Sequence, residues 1–352
     1  MMKAKNYLVP VFFLVLSLIS FLLANRTPGY LFTEVYARFG RNILFVLALI
    51  LPILCGMGIN FAIIVGAIST QIVVVIAIDL GLSGMQGFLF VSSFSVLLAV
   101  LLGSLIAELL NRTKGKEMIV SIVIGLLASS LYQFLFMVVY GLVIQPRTPG
   151  ILLDRGIGVR STLNAGFLSE FVNSLFPFTV DQKVLSLFPL LIAFLGILVM
   201  FYLQRTRVGH HVRATGSNEE IAEKLGIRTD RVRKFSIVLS TVFAAYSQIL
   251  FIADYGTINV YTGHIGLETF AAASILVGGA TLKRANIGNA IVGVILFHTL
   301  FVTSPMAGQN LFNNPAVGEY FRSFVAYATI LIALMLNMKQ NQRRMKNGTL
   351  RS

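Results

Sequence analysis

Charge is scarce in this chain. Only 12% of its 352 residues are charged, while 56% are apolar, against roughly 25% charged in an ordinary soluble domain. A soluble fold with so little charge would leave large apolar patches in water. This excludes a large soluble α protein and points to a polytopic membrane protein. Cysteine occurs once, at Cys55 inside an apolar run. No internal disulfide or multi-cysteine metal site can form, and Cys55 reads as a small core residue. Paired carboxylates, a nucleophile elbow and a metal-spaced histidine cluster are all lacking. His210 and His211 are neighbours in sequence, so on a helix they point apart. No G-x-x-x-x-G-K-[ST] loop is present; "TKGKE" at 113–117 lacks both the upstream glycine and the hydroxyl after lysine. Any energy source is therefore another chain or an ion gradient. The net charge of +14 does not require nucleic acid, because basic loops gathered on one side of a membrane give the same excess.

What is abundant is apolar sequence in runs of membrane length. Ten runs stand out, at 7–24, 42–54, 57–78, 86–108, 119–143, 184–203, 234–253, 267–281, 286–303 and 322–338. The fold expected is an all-α polytopic membrane protein of about ten helices, one transmembrane domain over 1–352. The first run is followed by "NRTPGY" with no small-x-small cleavage pattern, so it reads as a retained span. With the N-terminus inside and spans alternating, inner segments hold twenty of the 28 lysines and arginines. Both termini are then cytoplasmic. In this topology 25–41 is an outer loop that carries Arg26, Arg38 and Arg41. The longest outer connection, 144–183, divides the chain into halves, and its "FLSEFVNSLFPF" reads as a short interfacial helix.

Two segments echo each other. "GINFAIIVGAIST" starts at Gly58 and "GLETFAAASILVGGAT" at Gly266. In the topology above they run in opposite directions, as an inverted repeat of broken or short helices does, and such helices tend to lie near a transport site. The candidate pathway residues are their small and neutral polar members: Asn60, Gly66, Ser69, Thr70, Gln71, Thr269, Ser274, Gly278 and Gly279. Ionisable residues in the spans are few: Glu108, Glu268 and His298, with Asp79 at an outer end. This argues against an ion-driven carrier and suggests an uncharged or zwitterionic solute.

One dense charged stretch interrupts the apolar sequence, within a cytoplasmic loop at 204–233. Ser217-Asn218-Glu219-Glu220 fits a capping box with Ser217 as cap and Glu220 reaching back. Ile221, Ala222 and Leu225 share a face, Glu220 and Lys224 can pair at i, i+4, and Gly226 stops the helix. Thr229 or Asp230 can cap the next. Two turns of helix are not stable alone. The apolar face packs on the protein's own loops or docks in a groove on a soluble partner.

"GHHVRATGSNEEIAEKLGIRTDRVRKFSIVLSTVFAAYSQIL" resembles the cytoplasmic loop of permease subunits of the ribose and branched-chain amino acid type of ABC importers. The matching positions are Gly209, Arg213, Ala214, Gly216, Asn218, Ile221, Ala222, Gly226 and Ile227, with Ile221 where the family commonly has alanine. The likeness runs through "GLETFAAASILVGGATLKRANIGNAIVG". In "GMGINFAIIVGAI", Asn60 stands where the family motif usually carries aspartate. No likeness covers 144–183. The resemblance implies a non-catalytic permease in a prokaryotic plasma (inner) membrane. It implies a second permease subunit, identical or paralogous, ATP-binding subunits that hold ATP-Mg, and an external solute-binding protein or lipoprotein. This chain itself would bind no cofactor and no nucleic acid. The ATPase would be gripped by Arg213, Ala214, Gly216, Ser217, Asn218, Glu219, Glu220, Ile221, Ala222, Leu225 and Gly226. A sugar or nucleoside is the favoured solute, a branched-chain amino acid the alternative, and an ion-coupled carrier the competing class.

Overall fold

The computed structural model describes residues 2–153, 158–181 and 183–348. Part of the 144–183 connection, at 154–157 and 182, and the 349–352 tail lie outside the described residues. In chain order the helices are α1 Met2–Ala24, α2 Pro28–Ala48, α3 Ile50–Leu54, α4 Ile64–Asp79, α5 Gly84–Asn111, α6 Glu117–Phe134 and α7 Tyr140–Leu142. They continue as α8 Gly166–Ser174, α9 Phe188–Arg205, α10 Arg207–Ser217, α11 Glu219–Lys224, α12 Thr229–Tyr255, α13 Leu267–Val277, α14 Ile287–Phe312 and α15 Pro315–Gly348. Among the described residues four short strands, β1 Thr162–Asn164, β2 Pro177–Val180, β3 Lys183–Ser186 and β4 Thr257–Asn259, pair antiparallel as β1–β4 and β2–β3. Among the described residues, seven helical segments are long and apolar enough to cross a bilayer, and Val9–Ala24 and Leu267–Val277 are shorter apolar helices. The chain is a multi-pass, mostly helical membrane protein.

The expected outer loop at 25–41 is instead helix. α2 starts at Pro28, and the Thr27 hydroxyl accepts the Tyr30 amide at 3.2 Å, a cap followed by proline in the first turn. With α3 it makes a segment of 27 residues, Pro28–Leu54, so the run at 42–54 is not short. Arg41 had suggested water. It is buried, paired with Asp254 and stacked over the Tyr255 ring at 4.6 Å. Removing Asp254, which is itself exposed, strands the buried Arg41 charge, at a cost below the roughly 3–5 kcal/mol of a fully buried pair. Asp254→Ala is therefore expected to lower the apparent melting temperature and the membrane level of the protein, as read by fluorescence-detected size exclusion. Arg41→Met with Asp254→Leu, which removes both charges, should recover much of that loss.

The chain divides into two compact units, Met1–Val35 with Thr269–Ser352, and Tyr36–Glu268. In the second unit α4 lies against α12 with almost no side chain between them. A Cβ on Gly66 would stand 2.2 Å from the Thr241 carbonyl. Thr70 Oγ1 donates to the Ala245 carbonyl at 2.9 Å. Small residues let backbones approach, which lipid-embedded helices use in place of a hydrophobic drive. In the first unit α1, α14 and α15 surround Phe13, Ala273, Val277, Leu296, Phe297 and Leu300. There Gly278 and Gly293 bring α13 against α14, with a Cβ on Gly293 standing 1.9 Å from the Ser274 carbonyl.

The connection at 144–183 is folded. It contributes β1, which pairs with β4, and α8, whose Leu168 and Val172 are buried. Phe171 packs on Phe88 of α5 with centroids 4.9 Å apart.

Candidate functional site

The charged loop folds as two helices with an abrupt bend. α10 runs through Ser217, so Ser217 is not the cap. The extended residue between α10 and α11 is Asn218, at φ −159 and ψ 109, and its side chain accepts the Ile221 amide at 3.1 Å. The cap lies one residue later than the capping-box pattern suggested, because α10 holds Ser217 in helical conformation. Glu220 is then free to pair with Lys224 at 2.7 Å, as its i, i+4 spacing suggested. α11 ends where glycine is needed. Gly226 is left-handed at φ +82, its amide bonds Glu223 O at 2.9 Å, and the Ile227 amide bonds Ala222 O at 3.0 Å. This is a Schellman closure.

The expected common face of Ile221, Ala222 and Leu225 is divided. Ala222 is buried at 1% exposure, turned into the protein, whereas Ile221 is 54% and Leu225 74% exposed. A helix of six residues does not hold alone. Here the buried alanine and a charge cluster fix it in place. Lys114, in the turn between α5 and α6, lies 2.9 Å from both Glu219 and Asp230. Those hydrogen bonds raise the Lys114 pKa above its ordinary value. Arg233 is buried and reaches Glu117 at 2.5 Å, Asn111 Oδ1 at 2.9 Å and Glu219 at 3.7 Å. Thr229 Oγ1 donates to Glu223 at 2.6 Å. Sequence reasoning treated Arg233 as one more basic loop residue and did not single out Glu117. The signal was present in part: Glu117 and Arg233 both sit at helix starts, each beside a polar turn.

Gly216 makes the closest contact in the loop. A Cβ there would stand 2.0 Å from the Leu54 carbonyl and 2.8 Å from the Gly56 amide. Gly56 is itself left-handed, at φ +85. The end of α10 thus rests directly on the backbone turn that breaks α3 from α4. Arg213 NH1 donates to the Gln204 carbonyl at 2.9 Å, which ties α10 to the end of α9. Ala214 is half-buried on the same helix.

The expected pathway residues fall into two groups. On α4, Asn60 caps the helical start at Ala62 and donates to Ser240 Oγ at 3.3 Å. Ser69 bonds its own helix at Val65 O. Gly66 and Thr70 are spent on the contact with α12. Gln71 alone of these borders a cleft. In the other unit Gly278 accepts from Asn289 Nδ2 at 2.7 Å, Ser274 is buried, Thr269 is half-buried, and Gly279 is left-handed at φ +89.

Gln71 brings in residues that sequence reasoning missed. His264 Nδ1 lies 2.9 Å from Gln71 Oε1, and the Tyr132 ring stands edge-on to the imidazole at 5.0 Å. Gln248 Nε2 donates to the Gly263 carbonyl at 3.4 Å. The cleft holds about 200 Å³ and is bordered by Gln71, Gln248, Phe251, Tyr255, Thr257 and Asn259 among others. Burial lowers the His264 pKa from 6.5 to about 4. The sign follows from proton binding. The unfolded chain binds a proton near pH 6.5 and the folded one does not until about pH 4, so stability is full above that window and falls within it. The apparent melting temperature is expected to drop by roughly 2–5 °C between pH 7.5 and 5. His264→Gln should flatten that dependence in the same thermal assay.

Residues 31–334 match the family described as the branched-chain amino acid transport system / permease component. The autoinducer 2 import system permease protein LsrC of Photorhabdus luminescens is 30% identical over 147 residues, 42% of each chain. The high-affinity branched-chain amino acid transport system permease protein LivH of Salmonella typhimurium is 35% identical over 106 residues, 30% of this chain and 34% of the relative. LivH of Escherichia coli K12 is 34% identical over the same length. These matches span less than half the length of each relative. No solved structure matches. The matched range covers α3 to α14 and most of α2, and includes the α10–α11 loop, the break at Gly56 and both glycine-packed helix pairs; the chain belongs to the permease-component family of ABC importers that the ribose and branched-chain amino acid type represents.

Proposed function

We propose that this chain is the non-catalytic transmembrane permease of an ABC importer in a prokaryotic inner membrane, coupled to a separate ATP-binding subunit through α11. The observation that carries the reading is the exposure of Ile221 and Leu225 on a helix that is otherwise fixed by Ala222, Lys114 and Arg233. Two large apolar side chains held in water on a rigid mount are a docking surface. The N- and C-termini and the 204–233 loop then face the cytoplasm, with 144–183 outside. About ten helices cross or enter the membrane. A broken segment starts behind each of the left-handed Gly58 (φ +74) and Gly266 (φ +83).

The partners proposed are one or two ATP-binding subunits that carry ATP-Mg, a second permease copy or paralogue, and an external solute-binding protein. The solute is small and carries no net charge, a sugar or nucleoside in preference to a branched-chain amino acid. Relatives named for autoinducer 2 import and for branched-chain amino acid transport keep both solute classes in play. The experiment is affinity purification of the tagged chain from its native membrane. An ATP-hydrolysing subunit should co-purify in stoichiometric amount. Solute transport by the isolated chain with no such subunit would sink the reading.

A further inference from the structure

We propose that Gln71 and Gln248 form a hydroxyl-recognising step in the solute path, selective for an uncharged, hydroxylated solute, a free sugar or the ribose of a nucleoside. This rests on the importer-permease reading and deepens it. With its proton on Nδ1, His264 donates to Gln71 Oε1, and Gln71 Nε2 is left buried with no hydrogen-bond partner. Gln248 spends its amide on the Gly263 carbonyl, and Gln248 Oε1 is likewise buried with no partner. Native interiors rarely leave such atoms unmet, and each one asks what satisfies it. One is a donor and the other an acceptor. A single hydroxyl is both, so a solute hydroxyl can accept from Gln71 and donate to Gln248.

The two carboxamides flank one residue. A Cβ on Gly263 would stand 2.8 Å from Gln71 Nε2, and Gly263 O holds Gln248. Both glutamines also border the same cleft. Its volume of about 200 Å³ lies below the range of roughly 300–1,000 Å³ for drug-sized ligands. Phe251 and Tyr255 give it aromatic surface, suited to the C–H faces of a sugar ring. Among the described residues, no carboxylate, lysine, arginine or histidine borders it. The nearby Arg41 is already paired with Asp254. An amino acid would bring a carboxylate and an ammonium group with no counter-charge to meet either, an unfavourable exchange for water. His264 acts as a positioning residue that fixes the Gln71 amide.

The test uses cells that carry the complete importer. Uptake is measured for a radiolabelled pool of neutral pentoses, hexoses and nucleosides and, separately, for a pool of amino acids. Each value is normalised to importer assembled with its ATPase. The sugar and nucleoside pool should be carried, and Gln71→Leu and Gln248→Leu should each cut that uptake at least about tenfold. Uptake of the amino-acid pool alone, uptake of neither pool, or sugar uptake unchanged by both substitutions would overturn the proposal. If a variant fails to assemble, saturation-transfer NMR on the unmodified importer with ribose, adenosine and leucine decides. Signal from ribose or adenosine supports the site, and signal from leucine alone or from none overturns it. Absence of an ATPase from the unmodified preparation is read separately, and it would sink the importer reading itself.

Discussion

Gly216→Ala is expected to lower coupled uptake more than tenfold while the protein still reaches the membrane in reduced amount. The added methyl would stand 2.0 Å from the Leu54 carbonyl, closer than any real contact. Neither neighbour can yield by turning a side chain, because both are backbone. α10 must therefore lift from the turn at Cys55 and Gly56. Overpacking of this kind costs about 1–3 kcal/mol, and here the displacement falls on the joint between the docking loop and the break before α4. In the coupling proposed above, motion imposed on α11 reaches the break before α4 through this contact, and reaches α5 and α6 through the Lys114 and Arg233 cluster. Gly56→Ala probes the same joint from the other side. Its methyl would meet Gly216 Cα at 3.1 Å, and the left-handed backbone at φ +85 adds strain. The measurement is the ratio of solute uptake to ATP hydrolysis in reconstituted importer. A fall in protein amount with that ratio unchanged would show that the contact only stabilises the fold.

The second large effect separates docking from folding. Leu225→Asp places a carboxylate where leucine is 74% exposed, so the permease should fold and insert normally. Recovery of the ATPase should fall at least about tenfold, the loss of a central apolar anchor of an interface. Ala222→Asp behaves differently. Ala222 is the buried residue of a helix that already carries Glu219, Glu220 and Glu223, and an unpaired carboxylate there is costly. That variant is expected to lose the folded loop, and with it the membrane level of the permease. Quantitative recovery of both proteins on an affinity column distinguishes the two outcomes. Equal losses from both substitutions would mean that Leu225 is also structural.

The contrast shows which parts of this molecule were legible in its sequence. The apolar runs were, because lipid imposes a length and forbids charge whatever else a helix does. The break before α4 was legible in the gap between the apolar runs at 42–54 and 57–78. The limits of α11 were nearly so. Ser217 and Asn218 are both good caps, and only the continuation of α10 chooses between them. The start of α2 was hidden, since three arginines at 26–41 read as a loop until Arg41 met Asp254, 213 residues away. The face of α11 was misread for the same reason. Helical spacing groups Ile221, Ala222 and Leu225, but only the neighbours show that Ala222 is turned inward. The polar cluster at Gln71 was half visible. Gln71 was named as a pathway residue, whereas Gln248 and His264 lay in segments with no motif and met it only through folding.

The most direct test of the docking surface uses the chain's own cysteine content. Cys55 is its only cysteine and is buried, so Leu225→Cys supplies a single accessible thiol. In membranes that hold the complete importer, a thiol-directed benzophenone attached to that residue should, on irradiation, join it to the ATP-binding subunit. Ile221→Cys should do the same, and the yield should change when ATP is added. No adduct from either position, in membranes where the chain still drives solute uptake, would contradict the account.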